Sequence, residues 1–373
     1  MAGRRAVAPL SLIGGHIMDY RITADERARF KRCRRQWDFA SPHRRDLEPA
    51  TVAAPALEAA LEDALAVYYY PGTWDWSHEL TQSLVHKAFE RSLDDAGATD
   101  GLEYGAALLD CYDAWASTVD DFAPVRIGRD VQGLVPDPRQ PERGLSTPDG
   151  MPVIYTCRVD LLAVDAVDEY WVVRHQMVED WHGLDALIRD EEAVAACWAW
   201  EQDYIGMEIA GTIHNEVRIK GPLHLPPSGA SAKGRQKTVA QHEPSGGGRS
   251  IPQHRRVDAR SRRTEGGSRT EQSTAGVLRR TRIRRSRDEI AAVGMLIGAE
   301  AVDMTTEPAI YPAPAVHCQI CEFAAPCLAL IEGADPEPVL AAQFRLHPTV
   351  TRPKPRLGQA TWGFGRGAAP PDW

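Results

Sequence analysis

Four cysteines constrain this chain more than any other feature. Cys33 stands alone near the N-terminal end, and Cys318, Cys321 and Cys327 follow about three hundred residues later as C-x2-C-x5-C. The first lies in a predicted helix, TADERARFKRCRRQWDF, and the other three in a Pro-punctuated loop, YPAPAVHCQICEFAAPC. A metal bound by all four would therefore staple the two ends of one domain. Thiolates gathered in this way suit tetrahedral zinc or an iron-sulfur cluster, and the spacing of the trio does not choose between them. Cys111, Cys157 and Cys197 fall in predicted helix or strand and read as packed apolar residues. Seven cysteines, an odd number, without a signal peptide do not read as a secreted disulfide framework.

Periodicity divides the rest of the chain. Thr23 followed by Glu26 has the form of a capping box and opens a helix through about Arg35. Helical spacing continues over Ala54 to Tyr69, His78 to Ala96 and Leu102 to Thr118. The character then changes. VRIGRDVQGLV, PVIYTCRVDLLAVD and EYWVVRHQMV read as three strands, the last two as a hairpin turning at Ala166 to Glu169. A helix from Leu184 to Tyr204 and a strand, MEIAGTIHNEVRI, follow. VLRRTRIRRS reads as a further strand with its arginines on an exposed face, and SRDEIAAVGMLIGAEAVDM as a helix leading to the cysteine trio. The fold class is α/β: a core of helix, three strands, helix and strand, with a helical N-terminal part and a C-terminal cysteine loop.

Composition sets the outer limits. With 43% hydrophobic residues and ten tryptophans, 373 residues can bury a sizeable core. No apolar run reaches the roughly 20 residues of a membrane helix, so the expectation is a soluble cytoplasmic protein without a membrane partner. Residues 1–19 read as a disordered extension, 20–343 as one domain, and 344–373 as a disordered tail. Residues 222–275, rich in Gly, Ser, Pro, Gln and Arg, read as a disordered insertion, because so few apolar groups cannot offset the entropy of ordering. The net charge is −9, yet Arg218 to Asp288 holds 18 Lys or Arg against 5 Asp or Glu. A basic segment on an acidic body suits a phosphate-tracking element, and equally a solvated loop.

The cysteine layout and the element order together resemble the iron-sulfur members of the RecB-like, PD-(D/E)XK nuclease superfamily, over about residues 20 to 335. That superfamily includes the AddB helicase-nuclease subunits and a family of CRISPR-associated exonucleases. The resemblance implies a restriction-endonuclease-like core closed by a [4Fe-4S] cluster on Cys33, Cys318, Cys321 and Cys327. It implies DNA as partner, single-stranded or at duplex ends, and a helicase or repair protein beside it. Arg279, Arg280, Arg282, Arg284 and Arg285 would supply backbone affinity near the entrance of a DNA channel.

Catalysis in this family needs carboxylates that hold Mg2+ or Mn2+ and a lysine just after the second of them. Asp160, in CRVDLL, matches the first carboxylate, and Glu62 stands where a histidine is frequent. In WVVRHQM, however, Arg174 occupies the acidic position and Gln176 the lysine position. Arginine repels the metal and glutamine carries no charge, so the catalytic strand reads as degenerate. The family's Gln-x-x-x-Tyr motif is not present either: Glu191 or Glu192 replaces the glutamine and Trp198 is the nearest ring. Glu179, Asp180, Glu191 and Glu192 are candidates for a migrated acid, each with the plainer reading of a solvated carboxylate, and His175 reads as packed or solvent-facing. Three functions follow from these residues: a degenerate nuclease-fold DNA-binding protein, an active Mn2+- or Mg2+-dependent exonuclease using Asp160, Glu62 and a migrated acid, and a zinc-stapled interaction protein.

Overall fold

The computed structural model describes residues 19–50, 56–73, 76–98, 100–219, 270–306 and 308–347. The chain opens with β1 (Tyr20–Thr23), α1 (Ala24–Arg32), α2 (Arg34–Ala40) and the short β2 (Leu47–Pro49). Three helices follow, α3 (Ala56–Tyr68), α4 (His78–Asp95) and α5 (Leu102–Val119). Then come β3 (Phe122–Leu134), the small hairpin β4 (Pro136–Asp137) and β5 (Gln140–Gly144), β6 (Val153–Asp165) and β7 (Tyr170–Val178). Helices α6 (Leu184–Ile188) and α7 (Glu191–Asp203) precede β8 (Ile209–Arg218), β9 (Thr270–Ala275) and β10 (Leu278–Arg284). The chain closes with α8 (Arg287–Thr305), α9 (Ala324–Ile331), α10 (Glu337–Gln343) and β11 (Phe344–Leu346), the last paired with β2.

A mixed seven-stranded sheet organises the α/β architecture among the described residues. Its path runs β1, β6, β7, β8, β10, β9, and β3 pairs antiparallel with β6 along the opposite edge. Alternation along β6 and β7 decides what covers each face. Leu161, Ala163, Trp171 and Val173 pack under α3, α4 and α5. Leu162 and Val172 face the other way, into a cluster with α7 and α8. Helix α7 is buried on every side from Ala193 to Trp200, as expected of a helix whose apolar residues are not confined to one stripe. Gly294 lets α8 lie against it, since a Cβ there would collide with the Trp198 indole.

Several sequence expectations change at this level. The first helix breaks at Cys33, whose extended backbone (φ −161°, ψ 114°) ends α1 and starts α2. The capping box is half made: Thr23 accepts from the Glu26 N–H at 3.1 Å, but the Glu26 carboxylate turns inward to Trp37 Nε1 and Ser41 Oγ at 3.2 and 2.5 Å. The expected helix from Leu184 divides at Asp190, which caps α7 by accepting the Ala193 N–H at 3.1 Å. Residues 270–275 of the expected disordered insertion form β9, and the remainder, 222–269, lies outside the described residues. Phe344–Leu346, assigned to the tail, is a paired strand, while 348–373 and the N-terminal residues 1–18 are likewise outside. No helix among the described residues is long and apolar enough to cross a membrane.

Candidate functional site

The sheet forks at β6. Val153 to Thr156 pair with β1 in parallel, Leu161 to Val164 pair with β7, and Cys157 to Asp160 lie between with neither strand alongside. Where β1 and β7 diverge, a cleft of about 680 Å³ opens, walled by the start of α1 and by Glu192 and Ala196 of α7. A second lobe of about 550 Å³ continues along α1 past Gln176 to His182 and shares Ala24 and Glu192 with the first.

Asp160 sits at the closing point of the fork. Its Oδ2 accepts the His175 backbone N–H at 3.0 Å, so the carboxylate bridges the diverging strands. Beside it, Arg174 donates through Nη1 to Asp190 at 2.8 Å and through Nη2 to Glu192 at 3.3 Å. Burial works against the charge of this guanidinium, yet Asp190, Asp160 and Glu192 together hold its pKa above the ordinary arginine value. Gln176 accepts at 3.3 Å from Nδ1 of His214, a fully buried ring whose Nε2 stands 3.1 Å from the Thr212 hydroxyl. Burial, opposed in part by Asp190, lowers the pKa of His214 to about 4 and keeps the ring neutral. The fork thus holds one fixed internal cation, Arg174, among three carboxylates.

Glu62 does not join this group. It is exposed on α3, a helix that buries Leu61, Leu65 and Tyr68 against the opposite face of the sheet. It lines neither lobe of the cleft, in which Asp160 lies. Glu179 and Asp180 are exposed beyond the end of β7 and line neither lobe. Glu191 pairs with Lys31 and Arg27 in the second lobe, so of the migrated-acid candidates Glu192 alone shares the first lobe with Asp160. Trp198 is packed against Tyr155 at 6.1 Å between ring centroids, under α8. Asp190, His182, His214 and Glu216 had not been singled out; only Asp190 carried a usable signal, as an acid immediately before an apolar helix.

The arginines of β10 do not form the exposed face expected of them. Arg279, Arg280 and Arg285 are buried, and each is met by an acid: Glu216, Asp120 at 2.7 Å, and Glu289 at 2.6 Å. Arg282 reaches Asp121 at 2.8 Å and stacks over Trp171, and Arg284 pairs with Glu169. Buried guanidinium charge needs a partner, and these partners are supplied from within the chain. Arg280 anchors the largest such network. It donates to Asn215 Oδ1 and the Val119 carbonyl at 2.7 and 2.8 Å, beside Tyr69 and Tyr112. His175 packs here, stacked on Tyr69 at 5.4 Å, and burial with Arg280 nearby lowers its pKa to about 3.

At the far end of α1, Cys33 lies near Cys318 and Cys321. Cys33 Sγ accepts the Ala313 N–H at 3.5 Å, and Arg35 reaches Cys327 Sγ at 3.6 Å. Burial raises the pKa of the Cys321 thiol; the Phe323 backbone opposes this, and the Cys33 and Cys318 sulfurs add to the rise. The donor set is wholly sulfur and fits a thiophilic metal or cluster. Among the described residues no group of three His, Cys, Asp or Glu side chains is already closed to metal-holding geometry.

No family model matches the chain, and no curated protein matches it. Among solved structures, one titled "Crystal structure of SSO0001" is similar at 10% identity and a TM-score of 0.28, over 72% of this chain and 92% of that one.

Proposed function

We propose that this chain is a RecB-like, PD-(D/E)XK nuclease-fold protein whose catalytic strand is degenerate, and that it binds DNA as a member of a repair, recombination or phage-defence assembly. The observation that carries this reading is Arg174. Its guanidinium stands between Asp190 and Glu192 next to Asp160, a cation fixed where hydrolysis of DNA calls for an exchangeable divalent ion. Gln176, turned to His214, adds no positive charge for a transition state. Arg129 lines the first lobe, exposed and without an ion-pair partner among the described residues, so it is available to a phosphate. In this reading Cys33, Cys318, Cys321 and Cys327 hold a [4Fe-4S] cluster. When bound, the cluster ties α1 to the C-terminal segment.

The test is made on protein purified without oxygen. Iron and sulfide content, DNA affinity at two salt concentrations, and cutting of single-stranded DNA with Mn2+ or Mg2+ are measured beside Asp160→Ala. Salt-sensitive binding without cutting is expected. Cutting that disappears in Asp160→Ala overturns the degenerate reading in favour of an active exonuclease. Zinc in place of iron, with no DNA affinity, favours an interaction protein.

A further inference from the structure

The second lobe of the cleft contains a side chain that the proposed function leaves unused. His182 follows β7, and its Nδ1 lies 3.0 Å from Glu216 Oε1, which also accepts the His182 backbone N–H at 3.0 Å. Glu216 is fully buried, and its second oxygen accepts Arg279 Nε at 2.6 Å. Arg279 also donates to the His182 carbonyl at 2.6 Å, so ring and backbone are held by the same pair. A buried carboxylate fixed by an arginine is a permanent acceptor. Nδ1 therefore carries a hydrogen, and Nε2 faces the lobe with a fixed direction and no hydrogen-bond partner among the described residues.

Around that nitrogen the acids are paired and two of the cations are not. Asp190 and Glu192 are held by Arg174, and Glu191 by Arg27 and Lys31. Arg32 and Arg189, exposed on the same lobe, have no ion-pair partner among the described residues. Each carboxylate of the lobe thus already has a cationic partner, while two guanidiniums and an oriented imidazole have none among the described residues.

We propose that this lobe binds a phosphate monoester group, with Arg32 and Arg189 meeting its charge and His182 Nε2 making the directed hydrogen bond. Guanidinium geometry suits phosphate oxygens, and imidazole serves both ionic forms: the neutral ring accepts from a monoprotonated phosphate, and the protonated ring donates to a dianion. The proposal rests on the reading above only for the larger molecule that carries the phosphate.

Calorimetric titration of the full chain with inorganic phosphate, a 5′-mononucleotide, and one oligonucleotide bearing either a 5′-phosphate or a 5′-hydroxyl tests it. His182→Gln and Arg189→Ala alter exposed side chains, and Glu216 keeps its bonds from Arg279 and the residue-182 backbone N–H. Saturable phosphate binding is expected, weakened about tenfold by each substitution. A further gain with the 5′-phosphorylated oligonucleotide over the mononucleotide identifies a strand end as the source, and equal affinity identifies a small phosphomonoester. Equal binding of the two oligonucleotides with no binding of phosphate overturns the lobe and leaves DNA binding standing. Binding of phosphate but of neither oligonucleotide has the opposite meaning. Phosphate affinity unchanged by His182→Gln also overturns the proposal.

Discussion

Replacing Arg174 by methionine removes the cation that meets Asp190 and Glu192 beside Asp160 and keeps much of its volume. Asp160, Asp190 and Glu192 are then left facing one another. Removing one partner of a buried pair costs about 3–5 kcal/mol, whereas an exposed pair is worth about 0–1 kcal/mol. The Arg174 and Asp190 side chains are 25% and 16% exposed, which places that contact nearer the buried limit, and Glu192 at 45% adds little. Asp190 keeps its bond from the Ala193 N–H, which softens the loss. The expected destabilisation is about 2–3 kcal/mol at pH 7, with a fall in melting temperature of roughly 3–5 °C for a chain of this size. Two further signs are diagnostic. Protonating the orphaned carboxylates relieves their repulsion, so the gap between variant and wild type narrows as pH falls toward about 4. Mn2+ should stabilise the variant alone, by about 1.4 kcal/mol at ten times its dissociation constant. Urea denaturation of both proteins at pH 7 and pH 5, with and without Mn2+, reads all three effects. Equal midpoints at pH 7, or the same Mn2+ response in both proteins, would refute the assignment of Arg174 as an internal replacement for a divalent ion.

Acid should weaken the fold through two rings. His175 and His214 are held at about 3 and about 4, so below an unfolded value of about 6.5 the unfolded chain takes up protons that the folded chain refuses. Stability is complete above that value and is lost as pH falls toward the folded values, at up to about 1.4 kcal/mol per pH unit per ring. His175→Phe, which keeps the stack on Tyr69, should remove one ring's share of that slope in urea titrations, and an unchanged slope counts against it. Arg280→Met should cost about 3–5 kcal/mol by stranding Asp120, whereas Arg284→Ala should cost less than about 1 kcal/mol. Similar losses in the two variants contradict the buried role assigned to β10. If the cysteine junction holds a cluster, Cys33→Ser and Cys321→Ser should lose iron and become more sensitive to protease; stable variants with full iron content exclude that ligand set.

Long periodic elements were legible in the sequence to within a few residues. α3 and α4 have one buried face each, which residue spacing reports, and β6 and β7, buried on both faces, show as β-rich apolar runs. What the spacing cannot report is where a charge finds its partner. Arg279, Arg280, Arg282, Arg284 and Arg285 form a basic run in the sequence, yet their acids lie at Glu216, Asp120, Asp121, Glu169 and Glu289, mostly far along the chain. Glu62 was misplaced for a related reason, because helical periodicity gives the buried side of α3 but not the face of the sheet it covers. The fork itself depends on the four residues of β1 pairing parallel to the start of β6, and YRIT carries no signal for that.

Helix α1 couples two places that have so far been described apart. Its first residues wall the fork and its last is followed directly by Cys33, over a length of about 13 Å. Nine residues of helix, pinned along one side by the contacts of Arg27 and Lys31 to Glu191 and Glu300, do not bend within that distance. One short rigid helix therefore carries a wall of the cleft at its start and Cys33 at its end, and Cys33 is placed relative to the fork by the same ion pairs that hold that wall.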